Sequence, residues 1–210
     1  MDTVRYYVAL ISVVAFPPPV LAWLLIHPLA DILRRIGLLG TYMSIFGFYA
    51  IGMFSIWLAR DHILVVDLGY SAPLSALAIV LLLVSIYIRV SWRRVLRPAS
   101  ILGLPEFSGR HKTDDLVTKG IYSHIRHPRY IEIGFTLWAA ALFSNNLAVY
   151  LVGLAYIPLI YLVVILEERE LRNRFGIEYD AYCSRVPRFI PKMRTQGSGI
   201  DEVASSEEND

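Results

Sequence analysis

Hydrophobic residues in this chain fall into long unbroken runs, without the alternation of a half-buried strand. Such runs predict membrane-crossing helices, which need about 20 apolar residues to cover the hydrocarbon. Five are readable: Tyr6 to Ile26, Leu38 to Leu58, Pro73 to Ser91, a shorter one from Pro128 to Ser144, and Leu147 to Leu166. The first contains "FPPPV" (Phe16 to Val20), where prolines remove backbone donors, so a kink or break is predicted there. Proline at the start of the third is favourable, because first-turn N–H groups have no helical partner in any case. Only Asn145 and Asn146 separate the last two runs. Those helices are predicted to form a tight antiparallel hairpin whose other ends emerge on one side.

Charge placement gives the orientation. The segment from Arg89 to Arg129 carries Arg89, Arg93, Arg94, Arg97, Arg110, Lys112, Lys119, Arg126 and Arg129, and Arg169, Arg172, Arg174, Arg185, Arg188, Lys192 and Arg194 follow the fifth run. The asparagine turn carries no cation. The positive-inside tendency therefore places the long third loop and the C-terminal segment in the cytoplasm and the N-terminus outside, and Arg34 and Arg35 fall inside under the same assignment. The first run lacks a small-residue cleavage site and reads as a retained helix. From Thr195 onward the chain is polar, acidic and rich in glycine and serine, which predicts disorder over 195–210. The expectation is thus one all-α integral membrane domain over 1–194, multi-pass, in a bacterial or archaeal inner membrane or the endoplasmic reticulum.

Composition agrees: 56% of the 210 residues are hydrophobic, above the roughly 45 to 50% of soluble domains. A net charge of +2 gives no sign of a nucleic-acid partner, and the single Cys183 excludes an internal disulfide framework. His111, His124 and His127 have neither cysteines beside them nor a metal-binding spacing, so no metal is expected. Nor is there a glycine-rich phosphate loop after a strand, or a Gly-x-Ser-x-Gly elbow.

Polar chemistry concentrates in two stretches that the hairpin brings to one end, "LVTKGIYSHIRHPRY" (Leu116 to Tyr130) and "LEERELRNRFGIEYDAYCSRVPRFIP" (Leu166 to Pro191). Each residue has two readings. Glu168 with Arg172 and Glu170 with Arg174 are i,i+4 pairs of an ordinary solvated helix, yet carboxylates at the edge of the hydrocarbon tend to face a functional interior. His127 reads as a helix-start residue or as a ligand-binding group. Tyr122, Tyr130, Tyr179 and Tyr182 read as an interfacial aromatic belt or as part of a site.

In order and spacing, "GIYSHIRHPRY", an apolar hairpin and "EERELRNRFGIEYDAYCSRVPRFIP" resemble the core of the isoprenylcysteine carboxyl methyltransferase family, with the arginine-histidine-proline and double-glutamate parts also similar to phospholipid N-methyltransferases. The resemblance covers about residues 116–191. It implies a cytoplasmic-side site for S-adenosylmethionine, with Glu168 and Arg126 as catalytic residues and Val117, Gly120, Tyr122, His127, Tyr130, Glu167, Glu168 and Phe175 binding the cofactor. Glu167 and Glu168 would hold the α-ammonium, His127 with Arg126 the carboxylate, and Tyr122, Tyr130 and Phe175 the adenine. The acceptor implied is lipophilic or prenylated, a carboxyl, amine or hydroxyl group reaching the site from the bilayer. Eukaryotic prenylcysteine enzymes carry basic residues just before the glutamates, where this chain has "YLVVIL" (Tyr161 to Leu166). That departure weakens the case for a prenylcysteine carboxylate. Arg93, Arg94 and Arg97 are candidates to hold an acidic substrate instead. The competing functions are a sterol-type membrane reductase using NADPH and a non-enzymatic membrane protein.

Overall fold

A computed structural model of the protein describes residues 1–22, 24, 35–96 and 116–191. Arg34, Arg97, Arg110, His111, Lys112, Lys192, Arg194 and the tail 195–210 lie outside the described residues. The described elements are helical: α1 (Thr3–Ala15), α2 (Gly37–Leu58), α3 (Arg60–Ile63), α4 (Ala72–Arg93), a 3-10 turn (Gly120–Ser123), α5 (Pro128–Ser144), α6 (Leu147–Phe175) and α7 (Ile177–Arg185).

The proline run breaks the first helix as its chemistry requires. α1 ends at Ala15, the chain bends at Phe16, and residues 17–22 are helical again with Pro17, Pro18 and Pro19 in the first turn, where missing donors cost nothing. Pro18 is fully buried, and a Cβ on Gly52 of α2 would stand 3.3 Å from its ring. Here α2 can come this close only because residue 52 has no side chain.

Four helices are long and apolar enough to cross a membrane: Thr3–Ala22, Leu39–Leu58, Ala72–Arg93 and Leu147–Phe175. The protein is an integral membrane protein. α5, the expected fourth crossing, has 17 residues, about 25 Å of helix, and falls short of that length. It packs against α1, α4 and α6, so its surroundings are largely protein. α2, in contrast, exposes Leu39, Met43, Phe46 and Ile51, a face suited to lipid.

Polar side chains lock the interior at two levels. Glu132 of α5, 3% exposed, accepts hydrogen bonds from Arg89 and Ser85 of α4 and from Thr136. At the end bearing the asparagines, Arg5 is 4% exposed and donates to the Ser144 carbonyl (3.1 and 2.7 Å), the Gly69 carbonyl (2.8 Å) and the Asp67 carboxylate. These bonds satisfy a carbonyl that the end of α5 leaves without a helical partner. Asn145 takes the left-handed conformation (φ 47°) that terminates α5, and Asn146 caps α6 by accepting from the Ala148 N–H at 3.0 Å. The two-residue connection is therefore two caps back to back.

Candidate active site

At the opposite end, Pro128 sets the local geometry. A residue before proline is pushed out of the helical region, and His127 sits at φ −122°, ψ 57° with Pro128 as the first residue of α5. The extended backbone it leaves is paired: the Arg126 N–H donates to the Pro187 carbonyl (2.9 Å) and the His127 N–H to the Arg188 carbonyl (3.1 Å). Residues 187–188 can reach it because α6 stops at Gly176, whose φ of 54° and ψ of −127° suit glycine, and α7 folds back. α7 is held by Tyr179, Tyr182 and Val186 against Leu116, Leu171 and Phe175, and the Tyr182 hydroxyl donates to the Tyr122 carbonyl at 2.6 Å.

Glu168 is the centre of the cluster so formed. It is 1% exposed, and its oxygens accept from Arg126 Nη2 (2.9 Å), His127 Nε2 (3.2 Å), Arg188 Nε (3.0 Å) and Arg188 Nη2 (2.8 Å). The i,i+4 pairing of Glu168 with Arg172 is thereby overturned, since Arg172 turns away to Asp180 at 3.0 Å. Glu167, the preceding residue, is partly exposed and has Oε2 3.5 Å from His127 Nδ1, an ion-pair distance. Burial pushes the His127 pKa down, but the hydrogen bonds and charges of Glu167 and Glu168 outweigh it and raise it above 6.5. Burial raises the Tyr122 and Tyr179 hydroxyls and pushes Tyr182 up to about 12, so all three remain neutral phenols near pH 7. Arg126 Nε and the Tyr179 hydroxyl, both buried at this cluster, have no hydrogen-bond partner among the described residues.

The structure thus brings Arg126, His127, Glu167 and Glu168 together with Tyr130 beside them, and places the remaining candidates in neighbouring packing clusters. Tyr122 is buried against Trp92 and Ile88, with Val117 packed on the same cluster, while Phe175 packs beside Tyr179 and Tyr182. Tyr130 stands apart from both, 5.9 Å ring to ring from His127. Gly120 has φ 61°, and a Cβ there would lie 2.8 Å from Val95 Cγ2, so the glycine already serves a tight turn against α4. Arg188 and Tyr179 are the functional-looking residues that composition alone gives no reason to choose. Arg188 also answers the departure noted in "YLVVIL": its guanidinium lies 5.8 Å over Tyr161, so a cation reaches that stretch from another element.

Beside the charged cluster lies an open-sided cleft of about 550 Å³, lined by Tyr130, Ile131, Gly134, Phe135, Trp138, Tyr156, Ile157, Pro158, Ile160, Tyr161 and Phe189. Every wall residue is apolar or aromatic. Pro158 interrupts the α6 hydrogen-bond ladder at this cleft. Tyr130 and Phe189 belong to cleft and cluster alike, since the Phe189 ring is 6.0 Å from that of His127. A charged, incompletely satisfied pocket and an oily groove therefore share a wall. Among the described residues no group of three His, Cys, Asp or Glu is placed to hold a metal ion.

Comparison with known proteins supplies the family. A profile described as phospholipid methyltransferase matches residues 74–178. The chain is 37% identical over 87 residues to the protein-S-isoprenylcysteine O-methyltransferase of Schizosaccharomyces pombe, covering 40% of this chain and 36% of that protein. It is 37% identical over 107 residues to the nickel-cobalt-cadmium resistance protein NccN of Alcaligenes xylosoxydans (49% of each), and 32% identical over 132 residues to methanethiol S-methyltransferase 1 of Bradyrhizobium diazoefficiens (57% of this chain, 44% of that protein). It spans between about a third and a half of these relatives' lengths. No solved structure matches. With half its length matched, from α4 through the site helices to the start of α7, the chain belongs to the phospholipid methyltransferase family, a family of membrane methyltransferases.

Proposed function

We propose that this protein is an S-adenosylmethionine-dependent methyltransferase whose acceptor is a lipophilic molecule held in the cleft between α5 and α6. The observation that carries the reading is the shared wall: Tyr130 and Phe189 bound both the ion cluster and an apolar cleft open at its side. A water-soluble donor and a membrane-soluble acceptor could meet there. The donor set fits the cofactor, because Glu167 is a partly exposed carboxylate suited to an α-ammonium and Arg126 Nε is an unmatched donor for a carboxylate. When bound, the cofactor supplies an electrophilic methyl group on a sulfonium.

The chain's own residues orient and exclude. In-line transfer requires reacting atoms about 3 to 3.5 Å apart in a dry site, and the aromatic walls of the cleft serve both needs. Glu168, fully engaged with Arg126, His127 and Arg188, fixes the three cations and acts as a positioning residue, while Glu167 faces the cofactor. His127 turns both ring nitrogens to the glutamates, Nδ1 3.5 Å from Glu167 and Nε2 3.2 Å from Glu168, so neither is free to take a proton from an acceptor. The arrangement therefore favours an acceptor that arrives as an anion, or an amine that loses its proton after transfer. Arginine and lysine placement supports a cytoplasmic position for the cluster.

Calorimetric titration with S-adenosylhomocysteine tests the reading. Binding is expected, with Glu167→Gln weakening it by about 1.5 to 3 kcal/mol, the range for a hydrogen bond to a charged group. Binding of NADPH in place of S-adenosylhomocysteine would replace the methyltransferase with the reductase. A lipid extract incubated with methyl-labelled cofactor identifies the acceptor, and labelling of Cys183 only from outside the cell would reverse the orientation.

A further inference from the structure

A second cationic feature stands at the same end of the bundle, next to the cluster around Glu168. Arg93 is the last residue of α4 and Arg129 lies in the first turn of α5. Both lay their guanidinium groups over the indole of Trp92, with Cζ 5.6 and 5.5 Å from its centroid, so the two cations stand within about 11 Å of each other. Neither has a carboxylate within 4 Å among the described residues, in contrast to Arg89, Arg126 and Arg188, although the charge of Arg129 reaches Glu167. Trp92 is a fixed wall: it is 95% buried, packed with Ile88 and Tyr122, and its buried indole N–H has no acceptor.

An ordinary interfacial scatter of arginines would leave each head group separately in water. Here two like charges from different helices converge on one ring. The opposite end of the bundle shows the balanced alternative, where Arg60 stacks alone on Trp57 at 4.5 Å and has Asp61 3.7 Å away. The apolar span of α4 ends at Arg93, which sets the feature at headgroup depth. The start of α5 adds the positive end of a 17-residue helix.

We propose that Arg93 and Arg129, braced on Trp92, bind the phosphate of an anionic membrane lipid. Each guanidinium takes one non-bridging oxygen of the phosphodiester, for which its planar fork is suited. The acyl chains of the lipid lie along the apolar surface of α4. This site does not depend on the methyl-donor reading, and its test contains no cofactor.

The test is native mass spectrometry of the full chain in detergent, titrated with phosphatidylglycerol or with phosphatidylcholine of the same acyl chains. Phosphatidylglycerol is expected to bind more tightly. At about 1 kcal/mol per basic residue near a membrane surface, equivalent to about fivefold, Arg93→Gln with Arg129→Gln is expected to weaken that binding about 25-fold. Arg60→Gln is expected to leave it unchanged. Should the double variant fail to fold, Arg129→Gln alone decides, with about a fivefold loss expected. Equal affinity for the two lipids would overturn the proposal, as would arginine variants that bind like wild type. Displacement of the lipid by inorganic phosphate at the same concentration would overturn the assignment to a lipid headgroup.

Discussion

Replacing Glu168 by glutamine separates a structural hub from a direct ligand of the cofactor. The amide keeps the shape of the side chain but removes its charge and turns one acceptor into a donor aimed at cations. Glu168 is 1% exposed and accepts four hydrogen bonds from Arg126, His127 and Arg188. Deleting one partner of a buried ion pair costs about 3 to 5 kcal/mol. The Arg188 side chain is 36% exposed and water replaces part of what it loses, and the glutamine carbonyl keeps one acceptor, so the low end, about 3 kcal/mol, is expected. At about 2 to 4 °C per kcal/mol for a chain of this size, the thermal midpoint in detergent should fall by roughly 6 to 12 °C. Arg172→Gln is the control, because its pair with Asp180 is exposed on both sides and is worth under about 1 kcal/mol. Differential scanning fluorimetry of the two variants measures the contrast. A Glu168→Gln midpoint within 2 °C of the Arg172→Gln midpoint would refute the hub, and Glu168 would return to being an ordinary helix-surface carboxylate.

Three further outcomes follow from the geometry. His127 has a raised pKa, so its protonated form contributes stability that is complete below about pH 6.5 and is lost as pH rises through the higher folded value; thermal midpoints should fall above pH 6.5 in wild type more steeply than in His127→Asn, and parallel profiles would contradict the assignment. Arg5→Met strands the Ser144 carbonyl, while the Gly69 carbonyl keeps Asn145 and Asp67 keeps the N-terminal ammonium, and should lower stability by about 1 to 3 kcal/mol without changing S-adenosylhomocysteine affinity, as fluorimetry and calorimetry would report. Gly120→Ala should cost about 1 to 2 kcal/mol from its left-handed backbone, and adding Val95→Ala should recover only the contact component, so full recovery of the thermal midpoint would show that φ carries no strain.

Local chemistry wrote much of this architecture into the sequence. The apolar runs mark α2, α4 and α6, the three prolines mark the break at Phe16, and the paired asparagines mark the turn after Ser144. α5 runs over the predicted residues Pro128–Ser144 but is shorter than the other spans, and it packs against α1, α4 and α6. The order of "RHP" and "EE" foretold that Arg126, His127 and Glu168 would meet. It did not foretell Arg188, which arrives only after the reversal at Gly176, nor that Tyr122 and Phe175 would be absorbed into packing. Glu132 could have been suspected, since it is a carboxylate within an apolar run, and Arg5, since it stands at the very start of one, and such charges seldom lack a partner. Their partners lie 139 and 43 residues away along the chain, a pairing that no local rule specifies.

The backbone pairing of Arg126 with Pro187 and His127 with Arg188 closes a loop through both membrane-embedded helices, α5 and α6. In hydrogen-exchange terms this makes α7 and the Val186 to Phe189 strap a reporter of the whole site. Lifting them into water would break two backbone bonds, the Tyr182 to Tyr122 bond and both Arg188 to Glu168 bonds in one opening event. The amides of Arg126 and His127 should then exchange together, at a rate set by that common opening. A ligand that engages Arg126 or Glu167 and binds only the closed form would slow both amides by one factor, 1 + [L]/Kd, although they belong to a segment distant in sequence from the strap that moves.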